Sequence, residues 1–250
     1  MSTMLRPAGV FLLGFLLVIP TKTWGTLLAP SSPEATGKLI GIEALSPTHQ
    51  TAVQRLLEAE PLYIRITISP FRTTLRIYDY LLARLPLAAT LGRSLALGPY
   101  IIEHTGPGTF RGTNQQNLSG TFREIGTENG HRVYLGRGRY DGQLFRGVTG
   151  RVLIVLRYEP LVLDDGQSAV ANTVHCLVRL DNAILHALAR VFGSAIHVLI
   201  EAKLRRSITV AKNLSERLAA DPKAVYQAMT NSPSITQEER AEFARWFLQP

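Results

Sequence analysis

The chain has 250 residues, of which 46% are hydrophobic and 18% are charged, and lysines and arginines outnumber acids by 27 to 19. This composition is that of an ordinary globular protein with one domain, with or without appendages. The single cysteine excludes an intrachain disulfide, and no set of Cys, His and carboxylate residues has metal-ligand spacing, so neither a metal nor another cofactor is expected. The arginines are scattered, which favours a solvated basic surface over a nucleic-acid site.

The N-terminal residues 1–25 have the three parts of a cleavable export signal. Arg6 is the only charge before an apolar run over 8–19, and Thr23 and Gly25 are small residues placed for cleavage after Gly25. A retained membrane anchor is the alternative, but a span needs about 20 apolar residues, and this run has 12. We therefore expect a periplasmic or secreted protein, and export also argues against nucleic acid as a partner.

The next segment, 26–45, is expected to be a flexible lead-in, because its first part is rich in Pro, Ser, Ala and Gly. A helix is predicted over 46–60, with Ser46 as its cap and Pro47 in its first turn. After it, apolar and polar residues alternate over 62–68, which predicts a half-buried strand.

Two helices are predicted after this strand. Ser69 is expected to cap the first helix and Pro70 to stand in its first turn. Pro86 interrupts the helical pattern, and a second, shorter helix is predicted over 87–95.

A long strand-rich section follows, with turn signals at 129–130 and 164–166. The predicted strands are 100–104, 109–115, 118–125, 131–140, 150–158 and 170–180. Over 182–220 the apolar spacing becomes helical, which predicts one long helix.

Two shorter helices over 221–250 are predicted as a C-terminal appendage. Ser234 and Gln237 are expected to form a capping box at the start of the last helix. The aromatic edge of that helix consists of Phe243, Trp246 and Phe247. This edge either makes a peripheral contact with a membrane surface or docks onto the protein's own domain.

This order of elements predicts an α+β fold, in which a curved antiparallel sheet of six to seven strands grips a long C-terminal helix, with extra C-terminal helices. The domain is assigned to 46–220. Within it, 62–220 resembles the START and Bet v 1-like superfamily, also known as the SRPBCC or helix-grip fold. The resemblance rests on the order of the elements, the strand LYIRITI, the helix pair FRTTLRIYDYLLARLPLAA, and Ser69-Pro70 followed by Tyr78.

Members of that superfamily mostly bind lipids, sterols, polyketides or other hydrophobic molecules between the sheet and the long helix, and some are cyclases or hydrolases. The resemblance therefore implies a hydrophobic small molecule or lipid as the partner, although a fold does not decide between carrier and enzyme. Export and the tail after Ala220 depart from the family pattern.

Strand alternation, and for the last two residues the apolar face of the predicted long helix, selects the residues that would line such a cavity. They are Phe122, Glu124, Tyr134, Gly136, Gly138, Tyr140, Ile154, Leu156, Tyr158, Val174, Cys176, Phe192 and Ile196. The choice of face on 131–140 rests on Gly136 and Gly138, which leave room for a helix or a ligand, or else seat the long helix or mark bends. A solid core would show the same pattern, and Cys176 is expected to be a small buried hydrophobe rather than a nucleophile.

Three functions are compatible with the sequence. A carrier of a hydrophobic molecule needs a closed apolar cavity. A cyclase- or hydrolase-like enzyme needs polar groups that converge in the same cavity, with Glu124, Tyr134 and Tyr140 as the first candidates; no catalytic residue is assigned, because no nucleophile or phosphate-loop motif is present. An envelope-associated interaction protein needs only a solid core and a functional surface. The oligomeric state stays open.

Overall fold

The structure is a computed structural model that describes residues 33–128, 130–142, 146–182 and 193–249. The predicted export signal, residues 1–25, lies outside the described residues. None of the helices described is long and apolar enough to cross a membrane.

Two helices, α1 (Pro33–Ile40) and α2 (Pro47–Glu58), precede the sheet, with a 3-10 helix (Ile42–Ala44) between them. The prediction of a flexible lead-in up to residue 45 is therefore wrong from Pro33 onward. Ile40 and Leu45 are buried in one apolar cluster with side chains of α2, and this burial orders the segment. Composition alone did not show that these two residues have partners.

The prediction of a helix over 46–60 is confirmed by α2. Ser46 precedes it with extended backbone and Pro47 stands in its first turn, although the Ser46 side chain makes no capping hydrogen bond. The helix ends at Glu58, two residues earlier than predicted.

Seven antiparallel strands form one sheet in the order β1-β7-β6-β5-β4-β3-β2. The strands are β1 (Leu62–Arg72), β2 (Ile101–Gly106), β3 (Thr109–Thr113), β4 (Leu118–Glu128), β5 (His131–Tyr140), β6 (Val148–Val162) and β7 (Ser168–Leu180). The six strands predicted over 100–180 are confirmed, with shifted ends. Gly130 and Gly166 have φ angles of 72° and 78°, which glycine accommodates in the β4–β5 and β6–β7 turns.

The predicted helix start at Ser69-Pro70 is wrong, because both residues belong to β1. The pairing of β1 with β7 shifts between Ile68 and Phe71 and then resumes. Proline lacks an N–H group, and it is tolerated here because β1 is an edge strand and the register is irregular. The helix begins only after Thr74, whose side chain accepts a hydrogen bond from the backbone N–H of Ile77.

Helices cover both faces of the sheet. We call the face that carries α2 the outer face. The opposite, inner face carries α3 (Leu75–Ala83), α4 (Leu85–Ser94) and the long helix α5 (Gly193–Ala220). Pro86 stands in the first turn of α4, so the predicted break between the two helices is confirmed. The predicted α+β class, with a curved antiparallel sheet, a long C-terminal helix and further helices, is also confirmed.

The last two helices are α6 (Pro222–Thr230) and α7 (Gln237–Phe247). The capping box of α7 is formed by Thr236 and Glu239, so the predicted pair Ser234 and Gln237 is wrong by two residues. The Ser234 hydroxyl instead lies 3.1 Å from the Ser232 hydroxyl.

The aromatic edge of α7 docks onto the protein's own domain. Phe243 is fully buried, and its ring lies 6.2 Å from that of Tyr80 on α3. Phe247 packs edge-on against the same Tyr80 ring at 4.8 Å. Phe243 and Phe247 therefore contact the protein's own domain, which is the second of the two predicted alternatives, the first being a contact with a membrane surface.

Candidate functional site

The register of the central strands places most of the predicted site residues on the inner face. Tyr134 on β5 lies opposite Ile154 on β6, which lies opposite Cys176 on β7. Alternate residues of a strand share a face. The predicted residues on the inner face are Phe122, Glu124, Tyr134, Gly136, Gly138, Tyr140, Ile154, Leu156, Tyr158, Val174 and Cys176. Phe192 lies outside the described residues, and Ile196 falls in the first turn of α5.

Apolar side chains of the sheet and of α5 pack against one buried cluster on the inner face, and we call the region between the two the inner cleft. Its walls are Val152, Ile154 and Val178 on the sheet and Ile200, Leu204 and Ile208 on α5. All six pack against the buried cluster of the inner face, yet each remains partly accessible to solvent. In the described part of the chain, these side chains are therefore not completely buried between the sheet and α5.

The floor of the inner cleft is fully apolar around the cysteine. Cys176 is buried with Ile64, Ile66 and Val174. Burial raises the pKa of its thiol to about 12. The thiol is therefore neutral and unreactive at physiological pH, which is the behaviour of a small buried hydrophobe.

A buried arginine gathers polar side chains at one end of the inner face. Arg132 on β5 is 7% exposed. Its Nη1 donates to both carboxylate oxygens of Glu124 at 3.2 and 3.3 Å, its Nε donates to the Tyr158 hydroxyl at 3.2 Å, and its Nη2 donates to Oδ1 of Asp79 at 3.5 Å. The Tyr158 hydroxyl in turn donates to the same Asp79 oxygen. We call these four residues the Arg132 cluster.

The electrostatics of the Arg132 cluster hold the arginine charged. Burial by itself lowers the pKa of Arg132, but the hydrogen bond to Tyr158 and the charge of Glu124 outweigh it and raise that pKa above its ordinary value. Burial, followed by the hydrogen bond to Asp79, raises the pKa of Tyr158 to about 12, so this phenol stays protonated at neutral pH. The cluster thus consists of one cation, two carboxyl groups and a neutral phenol.

Tyr134 brings an unused polar group beside this cluster. The residue is 8% exposed, and its hydroxyl has no hydrogen-bond partner among the described residues. Burial and the nearby Glu124 raise the pKa of Tyr134 above its ordinary value, and the adjacent Arg132 opposes this shift without reversing it, so the phenol is neutral. Its ring meets Phe122 edge-on at 6.0 Å. A buried hydroxyl without a partner carries a desolvation cost, and a polar atom of a ligand would remove it.

A second unpaired polar atom lies deeper on the same face. Asn172 on β7 is buried, and its amide nitrogen donates to the hydroxyl of Tyr78 on α3. Its Oδ1 has no partner within the described part of the chain. The Tyr78 ring meets Tyr158 edge-on at 5.2 Å, so these residues adjoin the Arg132 cluster.

The two inner-face glycines of β5 differ in the space around them. A Cβ atom on Gly136 would lie 2.6 Å from the backbone oxygen of Thr121 and 2.8 Å from Cβ of Phe122. Gly138 is different, because its nearest neighbour would be the backbone oxygen of Ser119 at 3.7 Å. Gly136 thus fits the predicted alternative in which a glycine marks a bend in the sheet. Gly138 fits the alternative in which a glycine leaves room above the strand.

The structure separates one predicted residue from the others. Tyr140 lies at the far end of β5, opposite Val148. It is six residues from Tyr134, about 20 Å along a strand. Tyr134 therefore lies next to Glu124 of the Arg132 cluster, and Tyr140 does not.

Sequence reasoning missed Asp79 and Arg132 as members of the site. Arg132 lies on the same strand face as Tyr134, but arginine side chains are usually exposed to solvent, so it was not expected to belong to a buried site. Asp79 is the only acidic residue of α3, between two tyrosines, and this was the available signal. An isolated acid within a largely apolar helix requires a polar partner when it faces the domain.

The fold and the site together define an α+β protein whose sheet grips a long helix over an apolar cleft with a polar end. No protein-family model and no curated protein matches the chain. A solved structure of a conserved protein from Geobacillus kaustophilus is similar with a TM-score of 0.42 and 12% identity, covering 62% of this chain and 97% of that one. Apo dicamba monooxygenase is similar with a TM-score of 0.26 and 10% identity, covering 75% of this chain and 56% of that one. Similarity of this degree carries no functional inference.

Proposed function

We propose that this protein is an exported member of the START and Bet v 1-like superfamily that binds a lipid or other hydrophobic small molecule in the inner cleft. The observation that supports the proposal is the set of apolar side chains of the sheet and of α5 that pack against the inner-face cluster and remain partly accessible. Export rests on the sequence pattern of residues 1–25.

An apolar ligand would complete the burial of these walls. Removing apolar surface from water is worth about 25 cal/mol per Å², so six partly exposed aliphatic side chains supply a driving force for binding. The walls described carry no charged group among their six members. The ligand class is therefore apolar over most of its length.

The polar end of the ligand is assigned to Tyr134. This residue lies directly opposite Ile154, which is part of the cleft wall. Its hydroxyl lacks a partner among the described residues and can donate to a carbonyl or accept from a hydroxyl. We therefore expect a molecule with one hydroxyl or carbonyl group rather than a free acid, because Glu124 already presents negative charge there.

Native mass spectrometry of the mature protein purified from its own host, followed by organic extraction, tests this proposal. We expect a co-purifying apolar molecule. Protein that is free of any bound molecule, and that binds neither fluorescent fatty acids nor sterol probes, would instead favour an interaction protein with a solid core.

A pair of tryptophan variants locates the ligand. Leu204→Trp places a large side chain in the inner cleft, and we expect the extracted molecule to disappear. Val198→Trp is the matched control, because Val198 lies on the same helix and is 63% exposed. Equal retention of the molecule by both variants would place the ligand elsewhere.

Tyr134→Phe separates a ligand contact from a structural role. Loss of an unpaired buried hydroxyl leaves the empty protein equally stable or more stable. The same change weakens ligand binding by about tenfold if the hydroxyl bonds the ligand. Unchanged affinity would remove Tyr134 from the site while leaving the apolar cleft in place.

A cyclase- or hydrolase-like enzyme is the second candidate, and the convergence of Asp79, Glu124 and Tyr158 on Arg132 favours it. Glu124→Gln distinguishes it from a carrier. A carrier yields the same extracted molecule from the variant and the wild type. An enzyme yields different molecules, because the variant retains the substrate that the wild type converts.

A further inference from the structure

A groove opens on the outer face, on the opposite side of the sheet from the inner cleft. It has a volume of about 330 Å³ and lies between α2 and strands β3 to β6. Four arginines line it, namely Arg55, Arg123, Arg137 and Arg151, and Leu56 and Leu135 contribute apolar surface. Its volume falls at the lower end of the range of about 300–1,000 Å³ that is usual for small-molecule sites.

Arginines stand in register across the strands at this groove. Arg137 on β5 lies opposite Arg151 on β6, which lies opposite Arg179 on β7. Neighbouring strands are about 4.8 Å apart, and like charges directly opposite each other destabilise a sheet. The sequence predicted a solvated basic surface with scattered arginines. In the structure, several of these arginines instead lie together at the groove.

The groove holds more positive charge than the protein itself neutralises. Asp181 accepts a hydrogen bond from Arg137 at 3.1 Å and lies 4.0 Å from Arg151. Burial raises the pKa of Asp181, but hydrogen bonds with Arg137 and Thr149 and the charges of Arg137 and Arg151 outweigh it and keep that pKa below the ordinary value, so the carboxylate is already charged. Arg123 donates to the neutral Thr109 hydroxyl at 2.9 Å and has no ion pair among the residues that the structure describes.

Two further arginines of this surface form no ion pair that the described residues show. Within the described part of the chain, neither Arg55 nor Arg179 forms an ion pair. Among the described residues, Asp181 is the one carboxylate that forms an ion pair with any of the four arginines of the groove or with the neighbouring Arg179. A dianion in the groove would reduce the repulsion between these arginines.

We propose that this groove binds a phosphate group, carried either by a small soluble molecule or by a lipid head group. Guanidinium groups bind phosphate through pairs of parallel hydrogen bonds, which suits several arginines around one concave site. Leu56 and Leu135 offer apolar contact to the organic part beside the phosphate. The site is independent of the inner cleft, because the sheet separates the two.

Isothermal titration at low salt with inorganic pyrophosphate tests the proposal. The double variant Arg137→Gln/Arg151→Gln is expected to bind at least about tenfold more weakly than the wild type. Arg205→Gln/Arg206→Gln is the matched control, since it removes the same charge from exposed positions on α5. Equal weakening in both variants, or no binding by the wild type to either pyrophosphate or anionic vesicles, overturns the proposal.

A lysine variant distinguishes specific binding through guanidinium hydrogen bonds from attraction by the net positive charge of the surface. Arg137→Lys/Arg151→Lys keeps the net charge but loses the paired donors of guanidinium. We expect it to bind pyrophosphate several-fold more weakly than the wild type. Wild-type affinity in this variant would mean that only net charge matters and would contradict a built phosphate site.

Vesicle sedimentation identifies the source of the phosphate. The two samples are phosphatidylcholine vesicles with and without phosphatidylglycerol. Binding that requires phosphatidylglycerol and is lost in Arg137→Gln/Arg151→Gln assigns a lipid head group. Pyrophosphate binding without vesicle binding assigns a soluble phosphate compound, and both results support the groove as the site.

Discussion

Arg132 places a full positive charge beneath the helices of the inner face, 7% exposed, among two carboxyl groups and a phenol. A charge in such a place is costly unless it is paired and hydrogen-bonded. Here Asp79 reaches it from α3, Glu124 from β4 and Tyr158 from β6. One side chain thereby ties a helix and two further strands to β5.

Arg132→Met tests how strongly the protein depends on this charge. The variant leaves Asp79 and Glu124 without their cation, and we expect the free energy of unfolding to fall by about 3 kcal/mol. Arg137→Gln is the control, because Arg137 is 67% exposed and its pair with Asp181 is worth less than about 1 kcal/mol. Urea unfolding of both variants measures the difference, and similar losses would contradict a structural role for the buried arginine.

His175 makes the stability of the protein depend on pH. It is 4% exposed on β7, and its Nδ1 lies 2.7 Å from the Tyr63 hydroxyl. Burial, together with the charges of Arg65 and Arg157, lowers the pKa of His175 to about 4. The folded protein therefore favours the neutral imidazole of His175, whereas in the unfolded chain the same imidazole becomes protonated near pH 6.5.

We expect the free energy of unfolding to be highest above about pH 6.5 and to fall as the pH drops towards 4, by up to about 3 kcal/mol from His175. Urea unfolding at pH 7.5, 6 and 5 measures this dependence. His175→Gln should have a flatter profile. Some dependence remains in this variant, because burial also lowers the pKa of His131. An unchanged profile would assign the effect to other groups.

Among the elements, β4 and β5 approach each other closely where glycines face each other. Gly120 lies opposite Gly138, and Gly136 lies opposite Phe122. A Cβ atom on Gly120 would come within 2.5 Å of the Arg137 backbone oxygen. Strands in this arrangement accept only glycine at the tightest points.

Gly136→Ala and Gly138→Ala form a matched pair on one strand face. We expect Gly136→Ala to lower the free energy of unfolding by about 1–3 kcal/mol, because its Cβ has no room. Gly138→Ala should be neutral or slightly stabilising, since its nearest contact is ordinary. Thermal unfolding compares the two, and an equal effect would show that the strands adjust freely.

For the whole molecule, the C-terminal helices belong to the main body of the domain. Phe243 of α7 and Met229 of α6 are fully buried in a cluster with Tyr80 of α3 and Leu214 of α5. This third cluster joins the tail to the helices of the inner face. It holds the C-terminal part of α5 through Leu214 and Leu218.

Phe243→Ala measures how far the tail supports the domain. We expect a loss of about 3–5 kcal/mol in the free energy of unfolding. Trp246→Ala is the control, because Trp246 is 40% exposed. Its contact with Arg76, at 4.8 Å from the ring, contributes about 1 kcal/mol at most. Equal, small effects in urea unfolding would indicate an independent appendage.

Local spacing was sufficient to predict most elements. The alternation in 62–68 indicated β1, the turn signals at 129–130 and 164–166 separated β4 from β5 and β6 from β7, and the change of period indicated α5. These features depend on residues next to each other in the chain. Where tertiary contacts prevailed, prediction was wrong: Phe71 keeps Ser69-Pro70 in the strand through its pairing with β7.

The sequence by itself determined the class of fold and placed Glu124, Tyr134 and Tyr158 on one sheet face, because strand alternation is a local property. Only the tertiary structure decided that Arg132 and Asp79 meet there. Their side chains are separated by 53 residues in the chain, and no spacing rule relates a strand to a distant helix. The helix packing that covers both faces of the sheet, and so creates the inner cleft and the outer groove, was decided in the same way, by burial of apolar surface between remote elements.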